Sequence, residues 1–282
     1  MRYDEEGKLH GEEKTFYEDG QPQAVLAYEH GVLNGLKQMW DPKGKLIEEA
    51  TYILGKLEGK FFQIAPDGRE IVTYYHGNLK NGPHWIFYPP NEKGEKFKAI
   101  ETVFENDQVE GLVVEFNQEG VKIAETPYVQ GRKEGQARIY SPDERLSATI
   151  DFRNDKKHGI ATQYFPSGAV FRETSYREDL KEGEEKTYFD NGVVASVFVY
   201  QGDQLNGLCQ SWNREGVLQF EAEYAEGLRH GKFNKYYEDG KPYIQQTFVY
   251  DKAEGKKVKY GTDGKMTVSN YHAGEVIESP AR

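Results

Sequence analysis

The chain has 282 residues, 37% apolar, 13% aromatic and 29% charged, with a net charge of −11 and one cysteine. That charge disfavours long-range attraction to nucleic acid or anionic lipid, and a single cysteine excludes an intrachain disulfide framework. Aliphatic residues are few, so Tyr and Phe must supply the buried area, at about 150–250 Å² per ring side chain.

The stretch Met1–His10 is charged and already lies inside a repeat, so it does not read as a signal peptide. As given, the sequence reads as cytoplasmic; it reads as secreted or surface-anchored if a leader precedes it. The first copy is counted from Asp4, which holds a position that later copies fill with an aromatic residue. That position then carries Tyr28, Tyr52, Tyr75, Phe104, Tyr128, Phe152, Tyr176, Tyr200, Tyr224, Tyr250 and Tyr271, with six intervals of 24 residues. Seven residues beyond it comes a glycine, from Gly11 and Gly35 through Gly207 and Gly231. Five further on comes a large residue, among them Trp40, Phe87, Phe116, Tyr140, Tyr164, Tyr188, Trp212 and Tyr236. Four residues later a second glycine follows in most copies, as at Gly20, Gly44 and Gly192.

Two glycine positions per copy predict two turns and therefore two strands. Glu18-Asp19-Gly20, Pro66-Asp67-Gly68 and Asp190-Asn191-Gly192 read as tight turns, and so do Leu33-Asn34-Gly35 and Leu205-Asn206-Gly207, because Gly and Asn accept positive φ. Between turns the apolar residues alternate imperfectly, as in Leu218, Phe220, Ala222 and Tyr224, which predicts antiparallel strands with one aromatic inner face. Three places break the rhythm. An insertion falls at about 89–98, the step from Tyr224 to Tyr250 is two residues longer than the period, and the copy from 250 is irregular. The expected fold is all-β: an elongated, single-layer, antiparallel β-hairpin repeat array, open and curved or twisted. It is expected to run over 1–282 as one array of about 11–12 units.

Tyr28-Glu29-His30-Gly31-Val32-Leu33-Asn34-Gly35, Tyr200 to Gly207, and Tyr236-Tyr237-Glu238-Asp239-Gly240 carry a family resemblance. This pattern resembles the MORN repeat family, and most of all its bacterial variant in YwqK-type antitoxin proteins. The resemblance implies a groove lined by the aromatics and a role as an interaction scaffold, with membrane association in some members.

No chemistry-bearing motif emerges. His10, His158 and His230 each precede the offset-seven glycine, so repeat position accounts for them. There is no His-Glu-x-x-His and no cysteine pair, so no metal site and no cofactor is expected. Gly55 to Lys60 and Gly227 to Lys232 resemble a phosphate loop only superficially, since Phe61 and Phe233 follow where a magnesium-binding hydroxyl belongs. No catalytic residue is expected, and the chain reads as a non-enzyme.

One stretch departs from the repeat's polar outer face. By parity Met39, Phe61, Ile86, Val113 and Ile139 fall there, beside the apolar run Trp85-Ile86-Phe87-Tyr88. Together with Trp85 and Tyr88 they form the candidate binding set, since contiguous exposed apolar patches mark interfaces. The expected partner is another protein. A lipid membrane, a glycan, a toxin or a second copy of the chain remain alternatives, the last through a sheet edge or this patch; nucleic acid is not expected.

Overall fold

The computed structural model describes residues 2–277. The fold is all-β, an open antiparallel hairpin array of 25 strands that is not closed into a barrel. It divides into two compact units, Met1–Glu144 and Arg145–Arg282. Within each, successive strands pair in chain order.

In the first unit each copy contributes a strand of about eight residues and one of about nine, such as Pro22–Glu29 and Val32–Trp40, then Leu46–Ile53 and Lys56–Ile64. Two turn chemistries alternate. The tighter one has two residues, both with positive φ: His30 at 48° with Gly31 at 84°, and Asn106 at 49° with Asp107 at 67°. Its backbone twist matches that of the flanking strands, which is why hairpins select it. The other uses an Asp or Asn side chain as a backbone mimic. Asp41 Oδ1 accepts from the amides of Lys43 and Lys45 at 2.9 Å each, while Gly44 N donates to Asp41 O.

The glycine seven residues past each aromatic is not in a turn. Gly35 lies inside the strand Val32–Trp40, and the register slips there: Tyr28 pairs with Leu33, but Leu26 pairs with Lys37. This is a β-bulge, and its φ of 119° is open to glycine alone. The sequence reading of Leu33-Asn34-Gly35 and Leu205-Asn206-Gly207 as turns is therefore corrected. Turns and bulges both demand positive φ, so glycine marks either.

On its other side each bulge glycine faces the next copy's aromatic: Gly35 pairs with Tyr52, Gly59 with Tyr75 and Gly82 with Phe104. A ring opposite a glycine restores the packing that the missing side chain forfeits. The insertion at 89–98 extends one hairpin end. Asn91 builds a second side-chain turn there, with Lys93 and Glu95 amides donating to its Oδ1 at 3.0 Å. Pro89 sits beside Gly68, Phe97 beside Gly120, and Lys96 pairs with Glu70 at 2.6 Å.

The second unit repeats this plan from Leu146–Arg153 to Glu275–Ile277. Its register corrects the repeat count near the end. Gly231 pairs with Phe248, and Gly255 with Tyr271. Phe248, not Tyr250, holds the repeat position, and it lies 24 residues past Tyr224. Tyr250 sits in the two-residue turn with φ 46°, and the copy expected to be irregular keeps its bulge glycine seven residues after the aromatic. Neighbouring copies are stitched at the turns, where Asp179, Asp203 and Asp251 accept the amides of Lys157, Lys181 and Arg229 at 2.8, 2.7 and 3.1 Å.

Buried hydrophobic residues are all small: Ala24, Ala50, Ala99, Ala137, Cys209 and Ala222. A single layer of strands covers small side chains fully and leaves large ones half-covered on either side.

Candidate functional site: two aromatic faces

The bulge decides which side chains share a face. Side chains alternate along a strand, so one extra residue reverses the parity beyond it. Glu125 and Tyr128 are three apart and face opposite ways. Tyr140 donates its hydroxyl to Glu125 at 2.8 Å and so stands opposite Tyr128. In the second unit Tyr188 donates to Glu173 at 2.7 Å and Tyr236 to Glu221 at 2.8 Å, on the face away from Tyr176 and Tyr224. The single aromatic inner face expected from the sequence is two ladders, one on each side of the strands.

The first ladder, that of the repeat-start aromatics, is layered with cations. Lys80 lies over Phe104 at 4.9 Å; in the second unit Lys157 lies over Tyr176 at 5.0 Å, Lys181 over Tyr200 at 4.6 Å and Arg229 over Phe248 at 4.0 Å. Each such contact adds attraction between the cation and the ring's negative face. His84 belongs here as well, 2.8 Å from Thr73 Oγ1 and edge-on to Phe104, and burial pulls its pKa down, with Lys80 adding to the effect. Lys156, beside Lys157 at a tight turn, is bound to Glu178 at 2.9 Å.

The second ladder is tied by carboxylates. Burial and the Glu173 hydrogen bond push the Tyr188 phenol up to about 12. Lys122, then Tyr140, hold the Glu125 carboxyl below its ordinary value, and Asn234, then Tyr236, do the same for Glu221. Also in the first unit, and on the same face, Trp85 Nε1 donates to Glu101 at 3.2 Å.

In several copies the residue before the bulge glycine reaches the next copy's tight turn: Asn34 accepts from Leu54 N at 3.0 Å, and Glu58 from Gly77 N at 2.8 Å. His158 and His230 occupy the same place, with Nδ1 buried and making no hydrogen bond. Gly55 and Gly227 are turn residues, while Gly59 and Gly231 are bulges followed by strand, so neither phosphate-loop look-alike forms a cradle before a helix.

The candidate binding set divides between the two faces. Ala50 pairs with Phe61, Ile71 with Ile86, Ala24 with Met39, Thr126 with Val113 and Ala124 with Ile139. Each partner shares parity with a repeat-start aromatic, so these five stand on the first ladder, and Phe61 meets Tyr75 edge-on at 5.8 Å. Their expected outward position is corrected by the bulge. Trp85 alone of the candidate tryptophan and aliphatic residues faces the other way, and Tyr88 is held at the hairpin end, its hydroxyl donating to Phe116 O at 2.9 Å.

Around Trp85 the sequence reasoning missed a band. Tyr74 meets Trp85 edge-on at 6.1 Å, Pro83 pairs with Val103, and Leu112 with Pro127. Val103 is 47% exposed and Leu112 48%. The signal was available: counting parity from the glycine instead of through it puts these six residues on one face.

Family models match five segments of the chain. The MORN repeat variant matches residues 9–30, 33–53, 181–201 and 229–250, and the MORN repeat matches 151–170. The matches support the MORN repeat family, whose repeats are associated generally with binding and scaffolding. No curated protein matches the chain. Among solved structures it is similar to chains in "Crystal Structure of TcdB2-TccC3-Cdc42" and "Crystal Structure of TcdB2-TccC3-TEV", at 9% and 12% identity and a TM-score of 0.19 for each. Those likenesses cover 92% and 98% of this chain but only 14% and 20% of theirs, and at that TM-score they carry no argument.

Proposed function

We propose that the chain is a non-catalytic scaffold that binds a partner protein over the band Tyr74, Pro83, Trp85, Val103, Leu112 and Pro127. The observation behind this reading is that band itself, with Val103 and Leu112 about half exposed on neighbouring strands. Apolar patches left open on a folded surface mark interaction sites. Trp85 is held in one orientation by Glu101 and Tyr74, so little side-chain entropy is lost when a partner covers it. The net charge of −11 favours encounter with a basic surface. The partner is therefore a protein presenting an apolar contact patch within a basic surface.

Three baits test this in a lysate capture: the wild-type chain, a Val103→Ser/Leu112→Ser variant, and a Leu180→Ser/Leu228→Ser control whose exposed leucines lie in the second unit. Circular dichroism checks that each keeps its sheet. The reading expects one protein captured by the first and third baits and lost from the second. Equal capture by all three removes the band as the site. Capture by none, with binding to anionic vesicles or to a glycan array instead, replaces protein binding by one of those alternatives.

A further inference from the structure

The first copy breaks the repeat's own rule. Where later copies place an aromatic residue, it has Asp4, and Asp4 opens a side-chain turn instead of pairing with a bulge glycine. Its Oδ1 accepts from the amides of Glu6 at 3.0 Å and Lys8 at 2.8 Å. That fixes the carboxylate and aims Oδ2 at His30 Nδ1, 2.7 Å away. The His10 ring stands 5.4 Å from the His30 ring, centroid to centroid. Asp4, His10 and His30 each offer one ligand atom, and the three atoms lie within 4.8 Å of one another.

His10 stands where the next copies hold Asn34 and Glu58, and His30 stands in the turn where Leu54 and Gln130 stand later. His158 reaches a turn carrying Glu178, but Phe152 occupies the third place. His76 with Glu58 and His272 with Glu254 are pairs. Among the described residues, only the first copy brings together such a trio.

We propose that Asp4, His10 and His30 bind one divalent transition-metal ion of the zinc, cobalt or nickel class, with water completing the shell. Two imidazoles and a carboxylate suit such ions, whereas calcium and magnesium prefer all-oxygen sets. Zinc–ligand bonds of about 2.1 Å in a tetrahedron require ligand atoms roughly 3.4 Å apart. The ion therefore replaces the proton shared by Asp4 and His30, and the two side chains part by less than an ångström. The backbone amides on Oδ1 supply the outer hydrogen bonds that orient a ligating carboxylate. Asp4 is 10% exposed and His30 64%, so the ion has an open side to solvent. Bound there, it ties the loop at 4–8 to the first tight turn.

The test is calorimetric titration of zinc into the tag-free, chelator-stripped chain, with cobalt absorption as a second readout. His10→Asn and His30→Gln install residues that equivalent positions already carry, Asn34 and Gln130, so each variant keeps the sheet. The wild type should bind one ion per chain, with a visible cobalt band of mixed nitrogen and oxygen ligands. Each variant should bind at least about tenfold more weakly. Absence of stoichiometric binding by the wild type overturns the proposal. So does binding by either variant within twofold of the wild type, which would place the ion elsewhere.

Discussion

If the offset-seven glycines are bulges, alanine should hurt unequally from copy to copy. Gly35 and Gly59 provide the cleanest pair. At Gly35 φ is 119° and an added Cβ would lie 2.8 Å from the Cβ of Ala27; at Gly59 φ is 72° and nothing lies within 4 Å. Gly59→Ala therefore meets only the left-handed penalty of about 1–2 kcal/mol. Gly35→Ala meets at least that penalty, since φ 119° lies outside the left-handed well, plus an overpacking term of about 1–3 kcal/mol, because Ala27 is anchored in a strand and cannot swing away. The expected difference is about 2 kcal/mol, or up to about 30-fold in local opening. A repeat array opens locally, so a whole-chain melt would dilute the effect. Hydrogen exchange followed by mass spectrometry, on peptides spanning 22–40 and 46–64, resolves it. Loss of protection should be at least about tenfold greater around Gly35 than around Gly59 in the respective variants. Equal losses would mean that both glycines serve one turn geometry, and the bulge argument, with every face assignment built on it, would fall.

Two further outcomes follow from the stitching between copies. Asp203 accepts the Lys181 amide at 2.7 Å, so Asp203→Ala should cost about 1 kcal/mol and speed exchange of that amide, while Asp203→Asn should restore most of the protection. The Tyr188 phenol is held neutral up to about 12, above the ordinary 10 for tyrosine. Its contribution to stability is therefore complete below pH 10 and is lost as pH rises through 12. A tyrosinate absorbance titration should show a final step near pH 12 that disappears in Tyr188→Phe; an unchanged curve would contradict the Glu173 contact.

The period, the strand pairs and the Asp-Gly and Asn-Gly turns were legible because each rests on local chemistry. A residue such as Asp67 needs only the amide two residues on, that of Arg69, to fold back. The bulges were not legible in the same way. Gly35 shows from sequence that positive φ is needed, but whether the chain reverses or merely kinks there depends on which strand lies opposite. The error then spread, since every residue beyond the glycine changed faces with it. Tyr250 was misplaced for a related reason: an aromatic in a turn and one opposite a bulge look alike until pairing with Gly231 selects Phe248. The trio of Asp4, His10 and His30 has no motif spacing at all. Two turns of different type bring it together.

The bulge also explains why this fold leaves surfaces to offer. Reversing parity once per copy puts one aromatic on each side of the strands, so neither face can be wholly polar and neither can close over a thick core. The repeat-start ladder answers this locally, with a Lys or Arg lying over Phe104, Tyr176, Tyr200 and Phe248. The opposite ladder answers with carboxylates on Tyr140, Tyr188 and Tyr236. Between Tyr74 and Pro127 the second solution is only half present: Glu101 holds Trp85, but Pro83, Val103, Leu112 and Pro127 stand where other copies place Lys232, Glu223 or Glu184. Charged residues at those places elsewhere show that the fold does not require apolar ones. Leu36, Ile160 and Leu208, exposed at the place of Pro83 and Leu112, show that it accepts apolar ones there as well, so what sets this stretch apart is the grouping of Trp85, two prolines, Val103 and Leu112 on neighbouring strands.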